Sequence, residues 1–463
     1  SSSSSPPSSV AQLTALGYHL AQLPVAPRVG KVLLFGAMFR CVGPALTIAA
    51  CLSTRSPFVS PFDKRQEADL VKRENLGLGC SDHLTLLAAY AGWQRAKHQG
   101  GTRGEWAFVN ENFLSRNTLL MIEQMRDQFR SLLADIGFVS RHAPSSMRGG
   151  GGGRRSRGGG NNRAKAAAAK SGGGGGGNGG GRSSRLYGSN DDGAASTIEL
   201  PAFAFGCDPE NDPSNSNAGN LALIKAVLCG GLFPNVVVAP KALVEDASPS
   251  KGQKGKGGGG SSKKVGEYPL VGQHGSSCYL HPSCLNCEAL SLDSRFLIYN
   301  EVVKTSKVYL RDSTTVSPQV LLLFGGRLVV HHEQEVISLA TGVFSSTSTT
   351  GNAAASSSSS SSAPPQQRWL HFRAKRKVAT VVKLLRREME ELLLRKITNP
   401  TEEVSEVGEG LISAVAALLE SDHQLREQEL NERRQLQSQV LDPRSSTNGF
   451  SGLTQGGGGG GGE

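Results

Sequence analysis

The sequence predicts a mixed α and β protein: a helical bundle, then a small β-barrel, then a C-terminal helix, with long Gly/Ser-rich inserts between them. Three observations carry this reading. Apolar residues recur at three- and four-residue spacing between residues 27 and 140, the signature of helices with one buried face. Short segments rich in Val, Ile and Tyr, bounded by Gly, Pro and Asn, occupy residues 218–344 and read as strands. Low-complexity tracts separate these regions: Ser1–Ser9, Arg141–Ser189, Ser248–Lys264, Ser345–Pro365 and the tail Gly456–Gly462. The chain's 58 glycines and its serine runs hold the apolar content to 38%, and such tracts bury too little apolar surface to offset the entropy of ordering them.

Taken in order, Thr14–Leu16 reads as a short extended piece and Gly17–Leu23 as a helix stopped by Pro24. Val32–Leu52 is the longest apolar run. Arg40 and the Gly43-Pro44 pair at its middle split it into two helices, Val32–Arg40 and Ala45–Leu52, and a central Arg argues against a membrane span. Ser81 is placed as the N-cap of a helix, with Asp82 favourable at the positive end of its dipole. Leu84, Leu87, Ala88 and Ala91 then line one face, and His83 reads as a packed helix residue. After Phe113–Asn117, the residues Leu119, Ile122, Met125, Phe129, Leu132 and Leu133 form the stripe of another helix.

In the second half, Leu221–Gly231 reads as a helix closed by Gly230-Gly231, and Phe233–Ala239 as a strand. The run Phe296–Tyr309 and the segment Val320–Val330, broken at Gly325-Gly326, read as further strands, and Trp369–Phe372 as the barrel's last strand. Ala374–Ile397 is amphipathic, with Arg376, Lys377, Lys383, Arg386 and Arg387 expected to face solvent against Glu388, Glu390 and Glu391. Gly410–Glu420 reads as a second short helix and residues 423–440 as a frayed helical tail.

The net charge of +11 is concentrated. Residues 141–185 hold ten Arg/Lys and no Asp/Glu, and residues 251–264 add five lysines, whereas residues 1–140 carry fourteen bases against ten acids. Mobile cations of this kind suit a polyanion; a solubilising spacer has the same composition. Eight cysteines without a basic n-region and apolar core at the start suggest reduced thiols in the cytoplasm or nucleus. His274, Cys278, His281, Cys284 and Cys287 lie close enough in sequence to suggest tetrahedral zinc, or else alternate along a strand and do not converge.

The segments LTALGYHLAQLPVAPRVGKVLLFGAMF, GPALTIAACLSTRSPFVSP, SDHLTLLAAYAGW and NFLSRNTLLMIEQMRDQFRSLLADIGFVS occur in that order between Leu13 and Ser140. With Asn220–Pro234, Tyr279–Arg327 and Arg368–Pro400, this order resembles the helicase-associated region behind the motor of DEAH-box RNA helicases, most of all the RNA-helicase-A-type branch. The resemblance implies the end of a winged-helix domain over 10–26, a helicase-associated (ratchet) bundle over 27–140, an OB-fold over 218–344 interrupted at 248–264, and a last strand with C-terminal helices over 366–420. Residues 1–9, the basic linker 141–200, the Ser-rich insert 345–365 and the tail 421–463 fall outside these units. It implies RNA contacts at Ser81, Asp82, Arg116 and Asn117 in the bundle. In the barrel it implies Lys304 and Lys307 on phosphate, with Thr305 and Ser306 bonding to phosphate or bases. It also implies an unmetallated strand at the Cys/His cluster.

No GxxxxGK[ST] phosphate loop and no Asp-Glu-Ala-His occurs, so no catalytic residue is assigned and the chain is expected to turn over no ATP alone. ATP and Mg would belong to the motor of a parent helicase. The expected partners are single-stranded or structured RNA, motor domains in cis and protein activators, with no membrane. Two other readings stay open: a stand-alone RNA-binding protein, and a protein-interaction module without RNA contact.

Overall fold

The computed structural model describes residues 13–140, 212–244, 263–340 and 368–441; the basic Gly-rich linker and the Ser-rich insert lie outside them. The first stretch is helical: α1 (Ala15–Ala21), α2 (Pro27–Met38), α3 (Val42–Ser53), α4 (Arg65–Leu76), α5 (Asp82–Glu111) and α6 (Arg116–Asp135). The expected extended piece at Thr14–Leu16 is instead a helix start, because the Thr14 side chain accepts from the Gly17 N–H at 3.1 Å. The chain turns between α2 and α3 at Arg40, whose φ is 57°, rather than at Gly43-Pro44, which lie in the first turn of α3. Arg40 does not sit in an apolar span: it pairs with Glu409 and donates to the Pro213 carbonyl at 3.1 Å. Among the described residues no helix is long and apolar enough to cross a membrane.

Helix α5 is buried on both sides along its first half. Leu84, Leu87, Ala88 and Ala91 enter one core, while Leu86, Ala89, Tyr90 and Trp93 enter a second core with Leu119, Ile122, Phe129 and Leu133 of α6. Past Trp93 it emerges toward solvent, breaks at Gly101, whose φ of 55° and ψ of −148° suit glycine, and is buried again at Glu105, Phe108 and Val109.

The next element is α7 (Leu221–Leu232), nearly all of which is buried in the first core. Gly230 and Gly231 are inside this helix, not its cap. A Cβ at Gly231 would lie 2.2 Å from Val32 Cγ2, so glycine here permits α2 and α7 to approach closely.

Strands follow: β1 (Val236–Val238), β2 (Leu270–Val271), β3 (Ser277–Leu280), β4 (Phe296–Lys304) and β5 (Val308–Val316). They close into a barrel in the order β1, β2, β3, β5, β4. The run Phe296–Tyr309 is thus two strands, paired antiparallel from Phe296↔Val316 to Lys304↔Val308 around a hairpin turn. Val237, Leu270, Cys278, Leu280, Leu297 and Leu310 fill the barrel. Val236 and Ile298, the alternates of Val237 and Leu297, pack outward on α7 together with Val316, which lies past the positive-φ residue Asp312 on β5, and so join the barrel wall to the bundle's core.

Three further expectations are corrected. Pro318–Phe324 forms α8, not a strand; Ser317 caps it by accepting from the Val320 N–H at 3.2 Å, with Pro318 in its first turn. A short apolar run is ambiguous between strand and helix, and the cap and burial decide it. The strand β6 (Arg327–His331) begins only after the Gly pair and forms a separate sheet with β7 (Val336–Ala340) and β8 (Arg368–Arg373). The segment Trp369–Phe372 therefore lies in this second sheet, with Phe372 opposite Ile337, and not in the barrel.

Helix α9 (Arg376–Thr398) packs over β6 and α8, and α10 (Glu406–Leu441) is one continuous helix instead of a short helix with a frayed tail. Ile412, Val415, Ala416 and Leu419 bury α10 in the first core. Arg386 on α9 does not face out; it is 3% exposed. Its guanidinium donates to the carbonyls of Leu322, Leu323, Gly325 and Gly326, and its Nε lies 2.8 Å from Glu390. It thereby satisfies the carbonyls left unpaired at the end of α8, where a cation also meets the negative end of the helix dipole.

Candidate nucleic-acid interface

The eight residues singled out in the sequence fall in three places. The first is the seam between α5 and β5. Ser81 caps α5 by accepting from the Leu84 N–H at 3.0 Å, and its hydroxyl lies 2.6 Å from Thr314 Oγ1. Asp82 Oδ1 accepts from the Leu285 N–H at 2.7 Å, and Oδ2 accepts from the Ser313 N–H at 2.9 Å and its hydroxyl at 3.2 Å. Lys72 approaches Asp82 at 3.6 Å and donates to the Ser283 carbonyl at 2.9 Å. Both Ser81 and Asp82 are buried, and their polar atoms bond across the joint between bundle and barrel. His83 completes the joint, with Nδ1 2.7 Å from Thr314 Oγ1, and burial lowers its pKa against the opposing pull of Asp312 and Asp82.

The second place is the start of α6. Ser115 caps the helix by accepting from Thr118 N–H at 3.3 Å. Arg116 is partly exposed, 2.9 Å from Glu105, and its guanidinium lies 5.5 Å from the centroid of the Trp106 ring. The buried Glu105 carboxylate also accepts from Trp93 Nε1 at 3.1 Å, which fixes the position of the Arg116 fork. Asn117 is exposed in the first turn, where backbone N–H groups and the helix dipole favour an anion.

The third place is the hairpin joining β4 to β5. Lys304, Thr305, Ser306 and Lys307 are all exposed, and Thr305 N–H donates to the Lys307 carbonyl at 2.9 Å, which tightens the turn. Among the described residues neither lysine has a carboxylate partner within ion-pair distance. Lys307 Nζ lies 4.3 Å from the centroid of the Tyr279 ring. The hairpin and the seam sit on one strand: from Val308 to Thr314 is six residues, roughly 20 Å of β5. Sequence reading singled out Lys307 but missed Tyr279, Tyr309 and Arg311 beside it. Their alternation with buried Leu280 and Leu310 was the available signal.

The Cys/His cluster is divided by the barrel wall. Cys278 and Cys284 point inward, and the Cys284 thiol donates to the Leu310 carbonyl at 3.3 Å. Burial pushes the thiols of Cys278, Cys284 and Cys287 up. His281 instead meets the Ser283 hydroxyl at 2.7 Å and sets its ring edge-on to Tyr309.

Bundle, barrel and terminal helices each match a known family. Residues 26–86 match the ratchet-like helicase-associated domain (HA2), residues 224–328 an oligonucleotide/oligosaccharide-binding (OB) fold, and residues 366–421 the C-terminal domain in RNA helicases. The chain has the C-terminal region of a DEAH-box RNA helicase. It is 32% identical over 412 residues to the DExH-box ATP-dependent RNA helicase DExH1 of Arabidopsis thaliana, covering 89% of this chain and 30% of that protein. The putative ATP-dependent RNA helicase DHX57 of Homo sapiens is 35% identical over 413 residues, covering 88% of this chain and 24% of the relative. The ATP-dependent DNA/RNA helicase DHX36 of Homo sapiens is 32% identical over 389 residues, covering 84% and 28%. The chain thus spans less than a third of the length of these helicases. Within the OB-fold match lie both the basic hairpin and the β5 side of the seam. The HA2 match ends at residue 86, just past the seam residues of α5.

Proposed function

We propose that this chain is the RNA-gripping accessory region of an ATP-dependent DEAH-box RNA helicase of the RNA-helicase-A-type branch. It holds a single strand and presents it to motor domains in cis. The observation that carries the reading is the carboxylate-free basic hairpin Lys304–Lys307, mounted on a strand that the Asp82 seam ties to the ratchet bundle. A grip on a stepping strand needs phosphate-binding cations on a stiff support, and β5 links the two.

Arg116 and Asn117 serve as a second contact, through the guanidinium and the first-turn N–H groups of α6. Ser81 and Asp82 act on RNA only by keeping the barrel in register with the bundle. The basic tracts 141–185 and 251–264 lie almost wholly outside the described residues. They add sequence-independent affinity. ATP and Mg act in the motor of the whole helicase, in the cytoplasm or nucleus, where protein activators also dock.

The test is fluorescence anisotropy with single-stranded and duplex RNA across a salt series. K304A,K307A should reduce the slope of log K against log salt by about 1.4, since each phosphate contact on a single strand contributes roughly 0.7. An unchanged slope and unchanged single-strand affinity would remove the hairpin from the RNA path.

A further inference from the structure

At the start of α6 the Arg116 guanidinium is held from two sides. Its Nε lies 2.9 Å from Glu105 Oε1 and its Nη2 donates to Glu105 Oε2 at 3.3 Å, so the carboxylate runs along one edge of the planar group. Its Cζ stands over the Trp106 ring, 5.5 Å from the centroid. Glu105 is itself fixed, being 3% exposed with Oε1 accepting from Trp93 Nε1 at 3.1 Å. Three stretches of chain meet at this carboxylate: Trp93 before the break of α5 at Gly101, Glu105 and Trp106 after it, and Arg116 on α6. The edge turned to Glu105 carries Nε and one N–H of Nη2, which leaves the N–H groups of Nη1 and the second of Nη2. Nη1 has no hydrogen-bond partner among the described residues, and the Arg116 side chain is 31% exposed.

We infer that Glu105 and Trp106 are positioning residues that hold Arg116 with its free edge toward a phosphate of the bound RNA strand. The inference rests on the reading of Arg116 as an RNA contact and adds what makes that contact effective. An arginine loose in water loses rotamer freedom when it binds. Arg116 has lost that freedom in the folded chain already, so a phosphate meets a preset planar fork. Glu105 acts on the phosphate in two opposing ways. Its charge repels the phosphate, and its hold on the guanidinium aligns the fork. The repulsion is weakened because the Arg116 charge stands between carboxylate and ligand, whereas nothing offsets the alignment. The resulting sign is unusual: removing a negative charge from beside a polyanion weakens binding. Trp93 by itself does not call for that charge, since a neutral amide oxygen accepts the same N–H.

The experiment is fluorescence anisotropy with the full chain and a short single-stranded oligo(U) RNA. R116A should weaken binding about tenfold, as expected for one charge-assisted phosphate contact at a partly exposed site. R116K, which keeps the charge without the fork, should bind within about twofold of R116A. E105Q keeps an acceptor for Trp93 Nε1 and should weaken binding about threefold, the loss expected when one side chain must be ordered by the ligand. W106L removes an exposed ring without touching the buried carboxylate and should also weaken binding about threefold. In the R116A background neither E105Q nor W106L should weaken binding further, a result that neither general loss of fold nor base stacking on Trp106 would give. E105Q binding RNA as tightly as the unmodified chain, or more tightly, would overturn the inference and leave the Arg116 contact standing. If E105Q does not fold, unchanged binding by W106L overturns it in the same way. Losses that persist in the R116A background overturn it as well. Unchanged binding by R116A removes the Arg116 contact, and the positioning role with it.

Discussion

The seam at Asp82 and the hairpin at Lys304–Lys307 lie at two ends of one strand and hold their charges in opposite ways. At the seam a buried carboxylate accepts three hydrogen bonds from across the bundle–barrel boundary, and the Lys72 ammonium stands beside it. At the hairpin two ammonium groups stand exposed with no carboxylate near them among the described residues. A charge that is desolvated and fully bonded resists replacement, because its removal leaves donors unpaired in a place water does not reach. A charge left in water contributes little to the fold and remains available to a ligand. The comparison teaches that polar residue type alone does not separate the two roles; burial and partners do.

The largest effect that would sharpen this contrast is at the seam and its counterpart under α9. D82A should destabilise the folded chain by about 3 kcal/mol, since it strands the N–H groups of Leu285 and Ser313. Replacing Arg386 by Ala, and nearly as much by Lys, should cost a similar ~3 kcal/mol, because an ammonium cannot reach four carbonyls from one planar fork. Chemical denaturation monitored by circular dichroism measures both. Wild-type midpoints in either variant would break the assignment of these groups to structure.

A smaller effect concerns His83. Its folded pKa lies below the ordinary value, so the folded chain resists protonation there while the unfolded chain does not. Above about 6.5 both states are neutral and His83 contributes no pH dependence; as pH falls below that value the unfolded state takes up the proton and stability drops. Asp82 and Asp312, the charged groups facing the ring, oppose this fall only in part. H83N places an amide where Nδ1 stands without a titrating ring, so the difference in melting temperature between about pH 7.5 and 5.5 should shrink relative to wild type. An undiminished difference would assign the acid sensitivity to other groups.

The smallest effect on stability belongs to the hairpin: K304A,K307A should melt with the wild-type chain while losing RNA affinity, which is the reverse of the seam. A variant that unfolds early would place the hairpin lysines among the structural residues.

The sequence by itself determined the features that depend on neighbours along the chain. Ser81 was legible as a cap because a cap bonds to an N–H three residues on, and the α6 stripe was legible because helical spacing is a local period. The bundle followed by a barrel was legible for the same reason, strand and helix periods being written in short windows. Only the tertiary structure decided what distant segments do to these elements. Gly230 and Gly231 looked like a cap, but they lie within α7, where Gly231 lets α2 approach closely. Arg386 looked solvated among charged neighbours, yet the end of α8, about sixty residues earlier, draws it inside. Asp82 looked like a dipole partner of its own helix, yet the Leu285 and Ser313 N–H groups bind it across the joint. For Arg386 and Asp82 the deciding partners are backbone groups from other elements. Backbone groups are chemically alike at every position, so no residue type announces which of them a side chain will meet.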